Sequence, residues 1–186
     1  RVLSDSNSAK FTMVLPSGRD ALLGQRADDG VLVRLEVPGG AWMPVPMPDS
    51  ILVLNFVASP DGAQVAFAAL AKSAIASGQR RLMFGFMPIA GGIARTAHML
   101  EPREPPPSMS WNRDGTMYLA RALPKDTTPS LWQMSPESGT LARIGDLPDR
   151  CSQVSIMVGD LGHSAVCLTE DMRSDIWLVE TERENE

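Results

Sequence analysis

The residues best suited to catalysis or metal binding are few in this chain and lie far apart. Its two histidines, His98 and His163, lack the short His-to-His spacing that holds a metal ion. A histidine without a positioned partner contributes little to general acid–base catalysis, so both are expected to be structural or incidental. The sequence contains neither a Gly-x-Ser-x-Gly nucleophile turn nor a glycine-rich phosphate loop. We therefore predict no catalytic residues, no metal site and no cofactor within these residues.

The two cysteines, Cys151 and Cys167, are too far apart in the expected hairpin to form a disulfide. If the chain folds back at Leu161, Cys151 lies opposite approximately residue 171, about four residues beyond Cys167, at roughly 3.3 Å per residue. We predict two buried thiols. A strand bulge would shift the register, and a disulfide is the alternative in that case.

Charge and composition exclude two classes of partner. The net charge is −5 and the largest basic cluster is the pair Arg80-Arg81, so the sequence lacks the basic face that nucleic-acid binding requires. No apolar run reaches the roughly 20 residues that cross a bilayer as a helix, so no membrane span is predicted within this chain. With 44% hydrophobic and 21% charged residues the composition is globular. The 15 glycines and 15 prolines, spread between short apolar runs, favour an all-β fold.

The elements that hold these residues repeat along the chain. A turn closing on glycine recurs at intervals of roughly 40–50 residues, at Leu15-Pro16-Ser17-Gly18, Ser59-Pro60-Asp61-Gly62, Asn112-Arg113-Asp114-Gly115 and Gly159-Asp160-Leu161-Gly162. Each glycine can adopt the positive φ of a tight turn, so each turn is predicted to join a first and a second strand. Third strands follow in phase, at Val31–Val33, Leu82–Phe84, Leu131–Gln133 and Ile176–Leu178. Fourth strands follow in three units, at Ala41–Met47, Ile93–Met99 and Thr140–Leu147.

Four antiparallel strands are the content of one blade of a β-propeller. We therefore predict an all-β fold, a β-propeller of about four blades of four-stranded antiparallel sheet. The predicted boundaries are an N-terminal segment at 1–10, blades at 11–48, 49–100 and 101–148, an incomplete blade at 149–180 and an acidic, solvated tail at 181–186.

Three further predictions concern packing and connections between these blades. Met83, Met87, Met134 and Trp132 lie in or beside third strands and are expected to fill the space between blades. The run from Ala68 to Gln79 is interpreted as an extended loop, with a helix as the alternative, because it contains good helix formers. The proline-rich stretch 101–107 is interpreted as a stiff linker rather than a docking peptide. Closed propellers have about four to eight blades. The chain is therefore interpreted as a partial or half propeller from the C-terminal part of a longer protein, with open edges that favour self-association.

The turn motifs resemble the Asp-Gly repeats of TolB-type β-propellers. The resemblance rests on Ser59-Pro60-Asp61-Gly62, on Arg113-Asp114-Gly115 followed by Leu131-Trp132, and on Ser174-Asp175-Ile176-Trp177. Propellers of this kind serve as protein-docking platforms, as substrate gates in front of peptidase domains and as extracytoplasmic sensors. The resemblance therefore implies a binding role and favours an extracytoplasmic location.

Propeller geometry predicts where a partner would bind. Function usually lies on loops held by a rigid scaffold, and loops between second and third strands gather with the inter-blade links on one face. The charged candidates on that face are Arg80, Arg81, Arg103, Glu104, Lys125, Asp126, Asp171 and Arg173. We predict a non-catalytic binding or sensor module whose partner is a protein or a polar ligand. The alternative is the propeller of an enzyme, such as a substrate-gating domain of a serine peptidase, or a propeller hydrolase or lyase that uses acidic residues.

Overall fold

The fold is almost entirely β, as the sequence predicts. The computed structural model describes residues 11–18, 20–78, 81–148, 151–159 and 162–169, with backbone alone for the last two ranges. Within these ranges fourteen strands and one short helix occur, and the strands form three four-stranded sheets and a two-stranded hairpin. Each sheet takes its strands from one continuous stretch of chain.

The strands follow one another as antiparallel neighbours in every sheet. The first blade contains β1 Phe11–Pro16, β2 Ala21–Arg26, β3 Leu32–Glu36 and β4 Trp42–Pro44. The second contains β5 Ile51–Ala58, β6 Gln64–Ala71, β7 Leu82–Pro88 and β8 Arg95–Met99, with helix α1 Lys72–Ala76 between β6 and β7. The third contains β9 Ser108–Trp111, β10 Met117–Arg121, β11 Ser130–Met134 and β12 Leu141–Asp146. The last hairpin is β13 Cys151–Gly159 with β14 Gly162–Thr169.

Successive sheets pack face to face through two apolar clusters. The cluster between blades 1 and 2 joins Leu23 and Leu32 to residues such as Phe56, Phe67 and Met87. The cluster between blades 2 and 3 joins Phe84 and Phe86 to residues such as Met117, Leu119 and Met134. Blade 2 therefore contributes to both clusters, since its side chains alternate between the two faces of the sheet.

First strands lie next to one another across the blades, as in a fan. β1 contacts β5, β5 contacts β9 and β9 contacts β13. Outer strands β4, β8 and β12 each pair on one side only with a strand of the described residues. Sheets that radiate from adjacent first strands and bury their faces against each other are the blades of a β-propeller.

The predicted role of the third-strand residues is confirmed for the second and third blades. Met87 and Met134 are fully buried, and Met83 and Trp132 pack against the two inter-blade clusters. Their flexible or flat side chains fill the irregular space between facing sheets.

The interpretation of Ala68–Gln79 as an extended loop is wrong. Ala68 and Ala69 belong to β6 and are completely buried, because small side chains on both faces suit a strand between two packed blades. The chain leaves the sheet after Ala71 and forms α1, where Lys72-Ser73-Ala74-Ile75-Ala76 is rich in good helix formers. Of this predicted loop, Gln79 lies outside the described residues.

Several predictions fall on residues that the structure does not describe. These are the third strand at Ile176–Leu178, the acidic tail and the N-terminal segment. In the hairpin the backbone register sets Cys151 opposite Thr169 and Cys167 opposite Val154, with a bulge between Cys151 and Gln153. The prediction of two buried thiols concerns side chains outside the described set.

Candidate functional site

The residues predicted from the sequence to bind a partner are dispersed over one edge of the blades. Arg81 is exposed just before β7, and Lys125 and Asp126 are exposed in the loop between β10 and β11. Arg103 is exposed in the link between blades 2 and 3, where its backbone has a φ of 69°. Arg80, Asp171 and Arg173 lie outside the described residues.

Glu104 is not a surface residue, and its assignment to an exposed charged face is wrong. Its side chain is fully buried and forms a two-point ion pair with Arg121 at the end of β10. Arg121 Nε donates to Glu104 Oε1 at 2.7 Å and Nη2 donates to Oε2 at 2.9 Å. Oε2 also accepts the backbone N–H of Glu101 at 2.9 Å. The three hydrogen bonds to the Glu104 carboxylate compensate for the free-energy cost of removing its charge from water. Glu104 therefore anchors the inter-blade link to blade 3.

Aromatic and polar side chains surround the buried ion pair of Glu104 and Arg121. The Arg121 guanidinium lies 5.0 Å from the ring centre of Trp132, and Trp132 Nε1 donates to Ser130 Oγ at 2.8 Å. Burial lowers the pKa of the His98 imidazole, and the charge of Arg121 lowers it further, against an opposing effect of Glu104. The Glu104 carboxylate and the Arg121 guanidinium therefore bind each other inside the fold, as a structural anchor does.

The opposite edge of the blades contains a cleft of about 810 Å³ between blades 2 and 3, here called the 2–3 cleft. Its walls are the turn after β5, the turn after β9 and the turn between β11 and β12. Its lining includes Ser59, Pro60, Asp61, Gln64, Trp111, Arg113, Asp114, Thr116, Gln133, Met134, Ser135 and Glu137. In antiparallel sheets these turns share one edge, opposite the loops that the sequence analysis selected.

Asx-type turns hold the carboxylates of two residues that line the 2–3 cleft, Asp61 and Asp114, in fixed orientations. Asp61 Oδ1 accepts the Ser59 hydroxyl and the backbone N–H of Ala63, the latter at 3.0 Å. These hydrogen bonds, chiefly that of Ser59, hold the pKa of Asp61 below its ordinary value. Asp114 repeats the arrangement by accepting the backbone N–H of Thr116 at 2.8 Å. Both side chains are therefore oriented by their own turns, and the lowered pKa keeps Asp61 negatively charged at neutral pH.

The floor and rim of the 2–3 cleft differ in chemistry. Met134 is completely buried and Trp111 is half-buried, with its Nε1 donating to the carbonyl of Gly115 at 3.2 Å. Exposed amide and charged side chains surround this apolar floor: Gln64, Gln133, Arg113, Asp114 and Glu137. A bound ligand could therefore place apolar groups on the floor of the 2–3 cleft and polar groups against its rim.

A second cleft of about 570 Å³, here called the 1–2 cleft, lies at the same edge between blades 1 and 2. It shares Pro60 and Asp61 with the 2–3 cleft. The rest of its lining comes from blade 1: Ser17, Gly18, Asp20, Ala21, Arg34, Glu36, Val37 and Pro38. The two clefts therefore form one turn edge, divided by the Asp61 turn.

These clefts are not predicted by the charged loops, although the sequence contains a signal for them. The Ser-Pro-Asp-Gly and Asn-Arg-Asp-Gly turns predict strand connections, and their polar side chains line the clefts. Their polar side chains recur at the same edge of successive blades, and this periodicity predicts a shared polar surface.

Two further observations concern metal binding and membrane spans. Across the ranges that the structure describes, no three His, Cys, Asp or Glu side chains come together as a metal site would require. The helix content of the same ranges includes nothing of the length and apolarity needed to cross a membrane.

Solved structures similar to this chain are β-propellers. One of two prolyl endopeptidases matches with a TM-score of 0.55 at 13% identity, covering 84% of this chain and 26% of that chain. A chain of the nidogen/laminin complex matches with a TM-score of 0.54 at 9% identity, covering 77% and 50%. An uncharacterized protein of Listeria monocytogenes EGD-e matches with a TM-score of 0.53 at 16% identity, covering 82% and 44%. The likeness shows the propeller fold.

The chain spans half or less of the length of each of these propeller-containing chains. The sequence matches no protein-family model and no curated protein. Membership of the TolB-type family therefore stays a prediction, while the propeller fold is established.

Proposed function

We propose that this chain is a non-catalytic binding or sensing module whose 2–3 cleft holds a polar peptide segment of a protein partner. The observation that carries the proposal is the cleft itself, whose volume of about 810 Å³ is within the range of ligand-binding sites. It is built from turns on a rigid stack of sheets, which is where binding residues are commonly found.

The chemistry of the lining supports a peptide. Gln64 and Gln133 carry amides that both donate and accept hydrogen bonds, which matches the alternating N–H and C=O groups of an extended chain. Trp111 offers a half-buried aromatic surface for a side chain of the partner. Arg113 and Glu137 at the rim give charges of both signs, which favours a polar partner over a purely apolar one.

A peptide-display selection against the whole chain tests this proposal. The affinity of the selected peptides is measured by fluorescence anisotropy for the wild type and for Gln133→Arg, which replaces an amide of the lining with a long charged side chain. We expect at least a tenfold loss of affinity, about 1.4 kcal/mol, because the amide contacts are removed. Lys125→Ala with Asp126→Ala is the matched control, since these exposed residues lie at the opposite edge.

The opposite pattern would contradict the proposal. Peptides whose affinity falls in the Lys125 and Asp126 variant and is unchanged in Gln133→Arg would bind at the edge selected from the sequence. Failure of every selected peptide to respond to either variant would remove both edges as the binding site.

The alternative function, a propeller that gates a serine peptidase or acts as a hydrolase or lyase, draws on the likeness to prolyl endopeptidase. A likeness at 13% identity supports only the common fold. The two proposals are distinguished by the domains, if any, that accompany this chain in its natural protein. A hydrolase domain after the propeller favours gating, whereas a membrane span or regulatory domain before it favours sensing.

A further inference from the structure

The 1–2 cleft contains two buried hydrogen-bond donors that have no acceptor in the part of the chain that the structure describes. Ser17 is only 1% exposed, and its Oγ has no partner among the described residues. Arg34 Nε is buried and equally unpaired within the described part of the chain, although Arg34 Nη1 lies 3.6 Å from Glu36 Oε1. Both residues line the same cleft. Buried donors are nearly always satisfied in folded proteins, so two unpaired donors in one cleft indicate an acceptor supplied by a ligand.

Local structure fixes both donors at the cleft. Arg34 is opposite Leu23 in the register of β2 and β3, and opposite residues of antiparallel strands share a face. Leu23 packs in the cluster between blades 1 and 2, so Arg34 emerges on the face toward blade 2. The backbone of Ser17 is fixed by a hydrogen bond, because its N–H donates to the carbonyl of Ala21 at 2.8 Å. Arg34 is therefore positioned by a strand, and Ser17 by the hydrogen-bonded turn between β1 and β2.

The carboxylates around these donors determine what kind of ligand fits. Asp20, Glu36 and Asp61 are exposed and line the cleft, and Arg34 is the single positive charge among the described residues of that lining. An anionic ligand would be repelled by three carboxylates. A neutral carbonyl oxygen can accept from Ser17 and Arg34, and a cation attached to it can interact with the carboxylates.

We propose that the 1–2 cleft binds a basic extended peptide, with a backbone carbonyl accepting hydrogen bonds from Ser17 Oγ and Arg34 Nε and a Lys or Arg side chain facing Asp20 and Glu36. This site borders the 2–3 cleft at the Asp61 turn, but its evidence, the two unpaired donors, does not involve the 2–3 cleft. The proposed site implies that the partner recognised by the turn edge is positively charged where it enters the 1–2 cleft.

The test uses the 186-residue chain and two blocked pentapeptides, Gly-Lys-Gly-Lys-Gly and Gly-Glu-Gly-Glu-Gly, at equal ionic strength. Binding is followed by the amide chemical shifts of Ser17, Gly18 and Gly62. We expect the lysine peptide to shift these amides and to bind about fivefold more weakly to Ser17→Ala, which removes one hydrogen bond. Arg34→Lys is expected to weaken binding similarly, since it keeps the charge and removes the Nε donor. Ser138→Ala, in a turn of blade 3 outside the cleft, is the control and is expected to leave the affinity unchanged.

A second measurement separates a ligand-binding hydroxyl from a structural one. Because Ser17 Oγ has no partner in the described residues, Ser17→Ala is expected to leave the midpoint of thermal unfolding unchanged or to raise it. A lowered midpoint would show that the hydroxyl already has a partner and would overturn the proposal. Tighter binding of the glutamate peptide, binding that is insensitive to Ser17→Ala, or no shift with either peptide at millimolar concentration would also overturn it. None of these outcomes depends on the 2–3 cleft, which Gln133→Arg tests.

Discussion

Among single residues, the buried Glu104–Arg121 pair offers the sharpest test of how blade 3 is attached. Glu104→Ala leaves the guanidinium of Arg121 buried without its counter-charge, so we expect the free energy of unfolding to fall by about 3–5 kcal/mol. Urea unfolding followed by tryptophan fluorescence measures the change. Glu101→Ala is the control, because Glu101 has an exposed side chain and contributes only its backbone N–H to the cluster. Equal midpoints for the two variants would contradict the anchoring role of Glu104.

The imidazole of His98 reports on the same cluster through its pKa. Burial and the nearby Arg121 lower this pKa in the folded protein, so folding favours the neutral ring. The associated stability is present above the ordinary pKa of about 6.5 and is lost as the pH falls through the lower folded value. We expect an NMR titration of the His163→Gln variant to give a pKa for His98 below 6.5. Glu104→Gln should lower it further, because Glu104 raises it, and a rise would contradict this account.

Among the elements, the turn after β5 is constrained both by its own backbone and by the neighbouring blade. Gly62 has a φ of 70°, and a Cβ there would lie 3.1 Å from the carbonyl oxygen of Ser17. Gly115, at the equivalent turn of blade 3, has a φ of 85° and open space around it. Gly115→Ala is expected to cost only the backbone penalty of about 1–2 kcal/mol. Gly62→Ala should cost at least 1 kcal/mol more in chemical denaturation because of the close approach. Equal losses of stability for Gly62→Ala and Gly115→Ala would show that the Ser17 backbone moves aside and that the close approach adds no strain.

The strand order could be predicted from the sequence because its signals are local. Glycine turns and apolar runs recur with the period of a blade, and each signal depends on only a few neighbouring residues. The length of β6 could not be predicted, because the burial of Ala68 and Ala69 depends on sheets from distant parts of the chain. An alanine-rich run has little strand preference of its own, and tertiary packing decides its conformation.

The candidate site was less predictable than the strands. Charged residues in loops gave a list that contains exposed Lys125 and Asp126 but also Glu104, whose buried partner Arg121 is seventeen residues away. Which loop edge forms a cleft depends on how neighbouring blades approach one another. That approach is a property of the assembled sheets, as the contact between the Ser17 and Gly62 turns illustrates.

In the whole molecule, the blades are linked mainly to their immediate neighbours. Phe67 faces blade 1 and Phe84 faces blade 3, so blade 2 couples the two apolar clusters. A stack with nearest-neighbour interfaces behaves like a repeat protein, in which each interface contributes its own share of the stability. The turn edge, which is shared by consecutive blades, takes its rigidity from these interfaces.

The outer rim of the blades leads to a prediction about association. The outer strands β4, β8 and β12 carry exposed large apolar side chains, Met43, Met99 and Ile144 respectively, beside a strand edge that is unpaired within the described ranges. Such edges favour pairing with another chain, so we expect the isolated chain to exceed its monomer mass of 20.1 kDa at high micromolar concentration.

Light scattering after size exclusion measures this mass across a concentration series. A triple variant with Met43→Lys, Met99→Lys and Ile144→Lys should shift the chain to the monomer, because charges on edge strands oppose pairing. Ile75→Lys is the control, since Ile75 is an exposed apolar residue on α1 rather than on an outer strand. A wild-type mass of 20.1 kDa at every concentration would contradict the prediction. Association that Ile75→Lys reduces as much as the triple variant does would place the contact away from the rim.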